Sequence, residues 1–218
     1  EKSVRAVETA MMGDQKVYLV TQRNPQKEVP TAADLYQMGT VSQIKQIVKM
    51  PNGILRVMVE GLERAALLTL FEDGQYLEAE IEDAPMQEEQ LSDTVKEAMS
   101  RIVKEKLEEF GNANPKAVKD FIGSLLVITD LEPLLTQTAN EFPWDFAVKQ
   151  ELLECDYVSH LYDRIVYYLM REIEILMIKR DYQGKVKEHI DKNQRDYILR
   201  EELKVIREEL GDDAGAED

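Results

Sequence analysis

The residues able to do chemistry are few, and their spacing does not favour it. His160 and His189 fall far apart along one predicted helix, and neither has a Cys or His partner at metal-ligand spacing. Ser159 adjoins His160, but consecutive positions on a helix do not face each other, so the two are no nucleophile–base pair. Cys155 is the single cysteine, which excludes a disulfide within the chain; beside Leu152 and Leu153 it reads as a small buried hydrophobe. Gly184-Lys185 lacks both the upstream glycine and the following hydroxyl of a phosphate loop, and no G-x-G-x-x-G run occurs. Carboxylates abound on every exposed helical face and read as solvated surface rather than catalytic pairs. The expectation is a chain with no active site, no metal and no cofactor of its own.

Charge narrows the partners. The 218 residues carry 43 acids against 27 Lys and Arg, a net charge of −16, and the basic residues near the C-terminus are interleaved with acids. Such a surface repels phosphate backbones, so nucleic acid is disfavoured. No apolar run approaches the roughly 20 residues of a membrane span, and no signal peptide opens the chain. A cytoplasmic protein with no membrane partner is expected. Lacking an initiator Met and opening inside a helical pattern, the chain reads as a fragment.

The elements are organised around residues 185–211. Leu199, Leu203, Ile206 and Leu210 recur at steps of four, three and four, one stripe of a helix. Around it Glu188 and Lys192, Asp191 and Arg195, and Asp196 and Arg200 stand four apart, acid first. Gly211 is a natural C′ residue. The apolar period runs back through Ile173, Ile165 and Leu161, predicting a helix from near Tyr157 to Leu210, roughly 80 Å long at about 1.5 Å per residue. Its distal half must then project as an arm. A break at Gly184 that folds the arm back stays an alternative.

Upstream, Lys2 to Met12 has helical spacing through Val4, Val7, Ala10 and Met11, and Val17 to Gln22 reads as a buried strand. Residues 24–39, with Pro25 and Pro30, read as a loop holding Leu35, Tyr36 and Met38. Strands are expected over 40–50, 55–59, 65–71 and 76–82, with turns at Pro51-Asn52-Gly53 and Glu72-Asp73-Gly74. Composition shifts at Ala84-Pro85-Met86, and all that follows is helical. Ser92, Asp93 and Thr94 supply an N-cap, Thr94 with Glu97 fits a capping box, and Val95, Ala98, Met99, Ile102, Val103, Leu107 and Phe110 form one face. Pro115 restarts a second helix at N1, Asp130 to Ala139 makes a third, and a fourth after Pro143 turns Phe146, Val148 and Leu152 inward. The fold class is α+β. The expected divisions are a mostly antiparallel β subdomain over 1–84, a helical bundle over 85–155, a very long helix over 156–211 and a disordered acidic tail over 212–218.

Residues 193–211 resemble the end of the N-terminal domain of Lon, the ATP-dependent protease, whose pattern is Q-R-x-Y-x-L-R-E-Q-x-K-x-I-x-x-E-L-G; Glu202 replaces the second glutamine. Met50 to Ala65 resembles that family's central hairpin, and Glu1 to Val4 with Ala10-Met11, and Asp34-Leu35-Tyr36 with Gly39-Thr40-Val41, match in family order. The resemblance implies a PUA-like sheet, a bundle and a long helix leading to an AAA+ ATPase ring, then a serine–lysine peptidase. It implies ATP and Mg in the parent protein, a homohexamer, and misfolded, regulatory or tagged protein substrates. The family also carries an opening strand ahead of the first helix, whose absence here would leave a sheet edge unpaired. Two readings from other classes stay open: a stand-alone PUA-like module for RNA or a small ligand, and a coiled-coil scaffold. Under the Lon-like reading, Leu35, Tyr36, Met38, Met50 and Ile54 are the candidate substrate-binding residues, methionine being adaptable enough for varied sequences; ordinary packing is the alternative for all five. The stripe Leu199, Leu203, Ile206 and Leu210 is the candidate assembly surface.

Overall fold

Strand-forming and helix-forming residues segregate along the chain, and the computed structural model follows that division. It describes residues 2–209 apart from 52 and 73. Asn52 and Asp73 of the two expected turns, Leu210 and Gly211, and the tail 212–218 lie outside the described residues. After helix α1 (Lys2–Met11), strands β1 (Lys16–Gln22), β2 (Leu35–Lys49), β3 (Leu55–Phe71) and β4 (Glu78–Asp83) form an antiparallel meander in chain order. Each ladder has a register shift, and such bulges bend the strands and curl the sheet. The bulge at Lys45 has a readable consequence. Ile44 pairs with Val59 and Ile47 with Val57, so two residues three apart in sequence share one face.

Several expectations need correction. The loop over 24–39 ends early, because β2 already begins at Leu35. The Asp34 carboxylate closes the preceding turn: it accepts from Lys27 Nζ at 2.5 Å, Thr31 N–H at 2.8 Å and Thr31 Oγ1 at 2.7 Å. Those bonds hold its pKa well below the usual carboxylate range, Lys27 first. The strands expected over 55–59 and 65–71 are one continuous β3. β1 is an edge strand with half-buried residues rather than a buried one. Val4 and Met11 of α1 face solvent, while Ala6, Val7 and Ala10 are half-buried. Gly39 is required by close approach: a Cβ there would lie 2.5 Å from the Leu19 carbonyl oxygen and 2.6 Å from the Tyr18 ring.

The helices are α2 (Asp93–Ala113), α3 (Pro115–Ala117), α4 (Gly123–Leu126), α5 (Leu131–Glu141), α6 (Phe146–Leu153) and α7 (Val158–Glu209), with a π turn over Val118–Ile122. Of Ser92, Asp93 and Thr94, it is Ser92 that caps α2, accepting from Val95 N–H at 3.3 Å. Ala98, Val95 and Ile102 lie outside the buried face of Val103, Leu107 and Phe110. Pro115 does occupy the N1 position. Phe146, expected inward, is exposed; the aromatic core comes instead from Phe142 and Trp144, on either side of Pro143. Phe142 packs 4.8 Å from Phe110, 5.5 Å from Phe121 and 4.5 Å from Trp144. Cys155 is half-buried rather than buried, and burial pushes its thiol pKa up.

Sheet and bundle are joined by named contacts. Arg64 of β3 donates to the Cys155 carbonyl at 2.7 Å and to Asp156 Oδ1 at 3.4 Å, and Gln150 donates to the Met38 carbonyl at 2.9 Å. The acidic linker also holds α7. Glu89 Oε2 accepts from Ser159 N–H at 3.0 Å, supplying from a distance the negative charge a helix N-terminus favours; the Ser159 side chain first, and that N–H second, lower the Glu89 pKa. α7 runs for 52 residues without a break at Gly184, so the helix does not fold back on the bundle.

Candidate functional site

The β2–β3 ribbon outruns its neighbours. β1 pairs with β2 over residues 35–43 and β4 pairs with β3 over 65–71, which leaves the far end of the hairpin two strands wide. Gly53 makes the reversal at φ +79° and donates its N–H to the Met50 carbonyl at 3.0 Å. Met50 N–H in turn donates to the Ile54 carbonyl at 2.9 Å, so the two residues face each other across the loop mouth.

Pairing of Val48 with Arg56 and of Gln46 with Met58 carries that face down the ribbon, because side chains alternate with period two. Val48, Met50, Ile54 and Met58 therefore share one face, at 40%, 39%, 59% and 60% exposure. The opposite face, Ile47, Leu55 and Val57, is half-buried. Four large apolar side chains on the solvent side of a two-stranded ribbon form a patch of the kind that marks interaction sites. Two of the four, Val48 and Met58, were missed from sequence. The signal was present as even-numbered positions on both sides of the turn, once the pairing register is known.

The remaining three candidates sit elsewhere. Leu35 is buried in the sheet core. Tyr36 is half-buried beneath Arg23, whose guanidinium lies 4.4 Å from the ring centroid. Met38 is half-buried at the joint with the bundle, where its carbonyl takes the Gln150 bond. Met38 and Met50 are separated by up to roughly 40 Å of strand at about 3.3 Å per residue. The five residues are thus not one site: Met50 and Ile54 belong to the tip, and Leu35, Tyr36 and Met38 to the base.

The arm is the second surface. Every described residue of α7 beyond Leu176 is exposed, roughly 50 Å of helix at about 1.5 Å per residue. Leu199, Leu203 and Ile206 line up at 50%, 54% and 51% exposure; Leu210 lies outside the described residues. None of the expected pairs Glu188–Lys192, Asp191–Arg195 and Asp196–Arg200 closes to an ion pair among the described residues. Nearer the bundle, Glu151 accepts from Tyr168 Oη and pairs with Arg164 Nε at 3.1 Å. The Glu151 bond, with burial behind it, pushes the Tyr168 pKa up to about 12. His160 and His189 are exposed. Among the described residues no three His, Cys, Asp or Glu side chains converge on a metal site, and no helix is long and apolar enough to cross a membrane.

Comparison with known proteins agrees with this geometry. Residues 1–171 match the family described as the ATP-dependent protease La (LON) substrate-binding domain. Lon protease of Lachnoclostridium phytofermentans is 40% identical over 216 residues, 99% of this chain and 27% of the relative. Lon protease of Azospirillum brasilense is 35% identical over 97% of this chain and 26% of the relative, and that of Escherichia coli K12 is 32% identical over 97% and 27%. The chain thus spans about a quarter of the length of these relatives. Among solved structures, the N-terminal domain of Mycobacterium avium complex Lon protease shares the fold, with TM-score 0.60 and 19% identity over 78% of this chain and 86% of that one. With a curled antiparallel sheet ahead of a bundle and a long terminal helix, and with these relatives, the chain belongs to the Lon substrate-binding domain family.

Proposed function

We propose that this chain captures apolar segments of unfolded or tagged proteins on the solvent face of the β2–β3 ribbon, and delivers them to the ATP-dependent serine protease of which it is a part. The observation that carries this is the row Val48, Met50, Ile54 and Met58, apolar and exposed on one face. Two methionines in four suit a surface that accepts many sequences. In the parent protein ATP and Mg would act in an AAA+ module and peptide cleavage in a serine–lysine module, both outside these residues. The α7 stripe would pack against a neighbouring subunit's arm or the ATPase module and help set a hexameric ring. Degradation of misfolded and regulatory proteins in the cytoplasm, with a role under stress, is the setting this reading implies. The net charge of −16 weighs against the RNA-binding alternative.

The test is binding of an unfolded, fluorescently labelled protein to I54D/M58D. Both positions are exposed, so an unchanged circular dichroism spectrum is expected. Burying an apolar side chain of this size is worth about 1.5–3 kcal/mol, and the double variant is expected to bind at least tenfold more weakly than the parent chain. Equal affinity would remove the ribbon from substrate capture.

A further inference from the structure

An open cleft of 1150 Å³ lies between α2, the start of α5 and the linker over 86–91. It is larger than the roughly 300–1,000 Å³ typical of small-molecule pockets. Its apolar side is Leu131, which is buried, with Met86, Leu91 and Val158 partly buried around it. On α2, Ser100 opens on the cleft at 7% exposure, and its hydroxyl makes no hydrogen bond among the described residues. Its Oγ is not among the fully buried side-chain atoms that lack a partner, which are Arg64 Nε and Trp144 Nε1, so it is open to a group entering the cleft.

The charges are unbalanced in one direction. Glu97 is occupied by Arg101 at 2.5 Å, and Glu89 by Ser159 N–H at 3.0 Å. That leaves Glu88, Asp93, Asp130 and Glu132 around the rim, against Lys96 and Lys104, with no ion pair among them. Phosphates are repelled by the excess of carboxylates and cationic side chains are attracted.

We propose that this cleft is a second docking point for protein substrates, binding an extended segment that carries Lys or Arg beside an apolar residue. It rests on the reading of the chain as a polypeptide-recognition domain. The main chain of the segment meets the Ser100 hydroxyl, its apolar side chain covers Leu131, and its cation sits between Asp93 and Glu132. The ribbon face carries Arg56 among its apolar side chains; the cleft adds a preference for positive charge.

Three fluorescent decapeptides test this against the full chain by anisotropy: one of alternating Leu and Lys, one of Leu and Glu, one of Leu and Ser. The Leu–Lys peptide is expected to bind at least tenfold more tightly than the Leu–Glu peptide and to lose tenfold or more in D93K/E132K. A photocrosslinking group on it is expected to label residues in 86–104 or 129–133. The Leu–Ser peptide is expected to be unaffected by D93K/E132K and weakened by I54D/M58D. A Leu–Lys affinity within twofold of the parent in D93K/E132K, or crosslinks confined to the ribbon, overturns the cleft and leaves the ribbon standing. A Leu–Ser peptide that binds nowhere overturns the recognition reading, and the cleft with it.

Discussion

From Val158 to Leu176, the long helix α7 turns Leu161, Ile165, Leu169 and Ile173 into a core shared with α2 and α5. From Met177 to Glu209 it turns every described side chain to solvent, although Leu199, Leu203 and Ile206 also recur at helical steps with the same residue types. Periodicity says which side chains share a face; it does not say whether anything lies opposite. In the bundle half a partner lies within the chain; in the arm none does among the described residues. Truncating the same side chain in the two halves should therefore have opposite readouts, one in stability and one in association.

The largest expected effect is in the bundle. Leu169→Ala removes a side chain with no exposed surface, and such truncations cost about 2–5 kcal/mol because the cavity only partly closes. Urea denaturation should show that loss, whereas Leu203→Ala, half exposed, should stay within about 0.5 kcal/mol of the parent. Equal losses would mean the arm packs on the bundle in solution.

The next effect lies in assembly. If the stripe meets a neighbouring subunit, each buried aliphatic contributes about 1.5–3 kcal/mol to association. The L203S/I206S pair in the full-length protein is then expected to shift sedimentation towards smaller species while leaving the unfolding midpoint of this domain unchanged. Rings formed as readily as in the parent, at the same concentration and nucleotide, would show that the stripe is not an assembly surface.

The same contrast explains what could be read in advance. The long helix, the hairpin at Gly53, the edge between strand and helix near Ala84 and the N1 role of Pro115 are local signals, and each was legible from spacing or turn chemistry. Phe142 and Trp144 were not, because they flank Pro143 in a segment with no period, and only the folded bundle brings Phe110, Phe121 and Tyr168 around them. Among Ser92, Asp93 and Thr94 the cap is Ser92, because capping depends on which N–H groups are left open and the helix starts at Asp93. At the ribbon, Met50 and Ile54 were legible from the turn, but Val48 and Met58 join them only through the register, which runs unbroken from the turn to the Gln46–Met58 pair. Leu35 was misread for the opposite reason. A proline-bearing stretch suggested a loop, while the Asp34 bonds end that stretch one residue before it.

The smallest effect tests the arm itself. Gly184 lies within α7 at a point where an added Cβ would meet nothing within 4 Å. Alanine is favoured over glycine there by about 1 kcal/mol, because glycine has more backbone freedom to lose. The gain should not appear in global unfolding, since an exposed helical extension opens without the bundle. It should appear in hydrogen exchange, as roughly fivefold slower exchange of arm amides near residues 180–190 in Gly184→Ala, about 1 kcal/mol of local opening energy. Association through the stripe should be unchanged or slightly stronger, because a stiffer arm has less freedom to lose on docking. Unchanged or faster exchange together with weaker association would mean that the arm bends at Gly184 when it meets its partner, and that the continuous helix is only its unbound form.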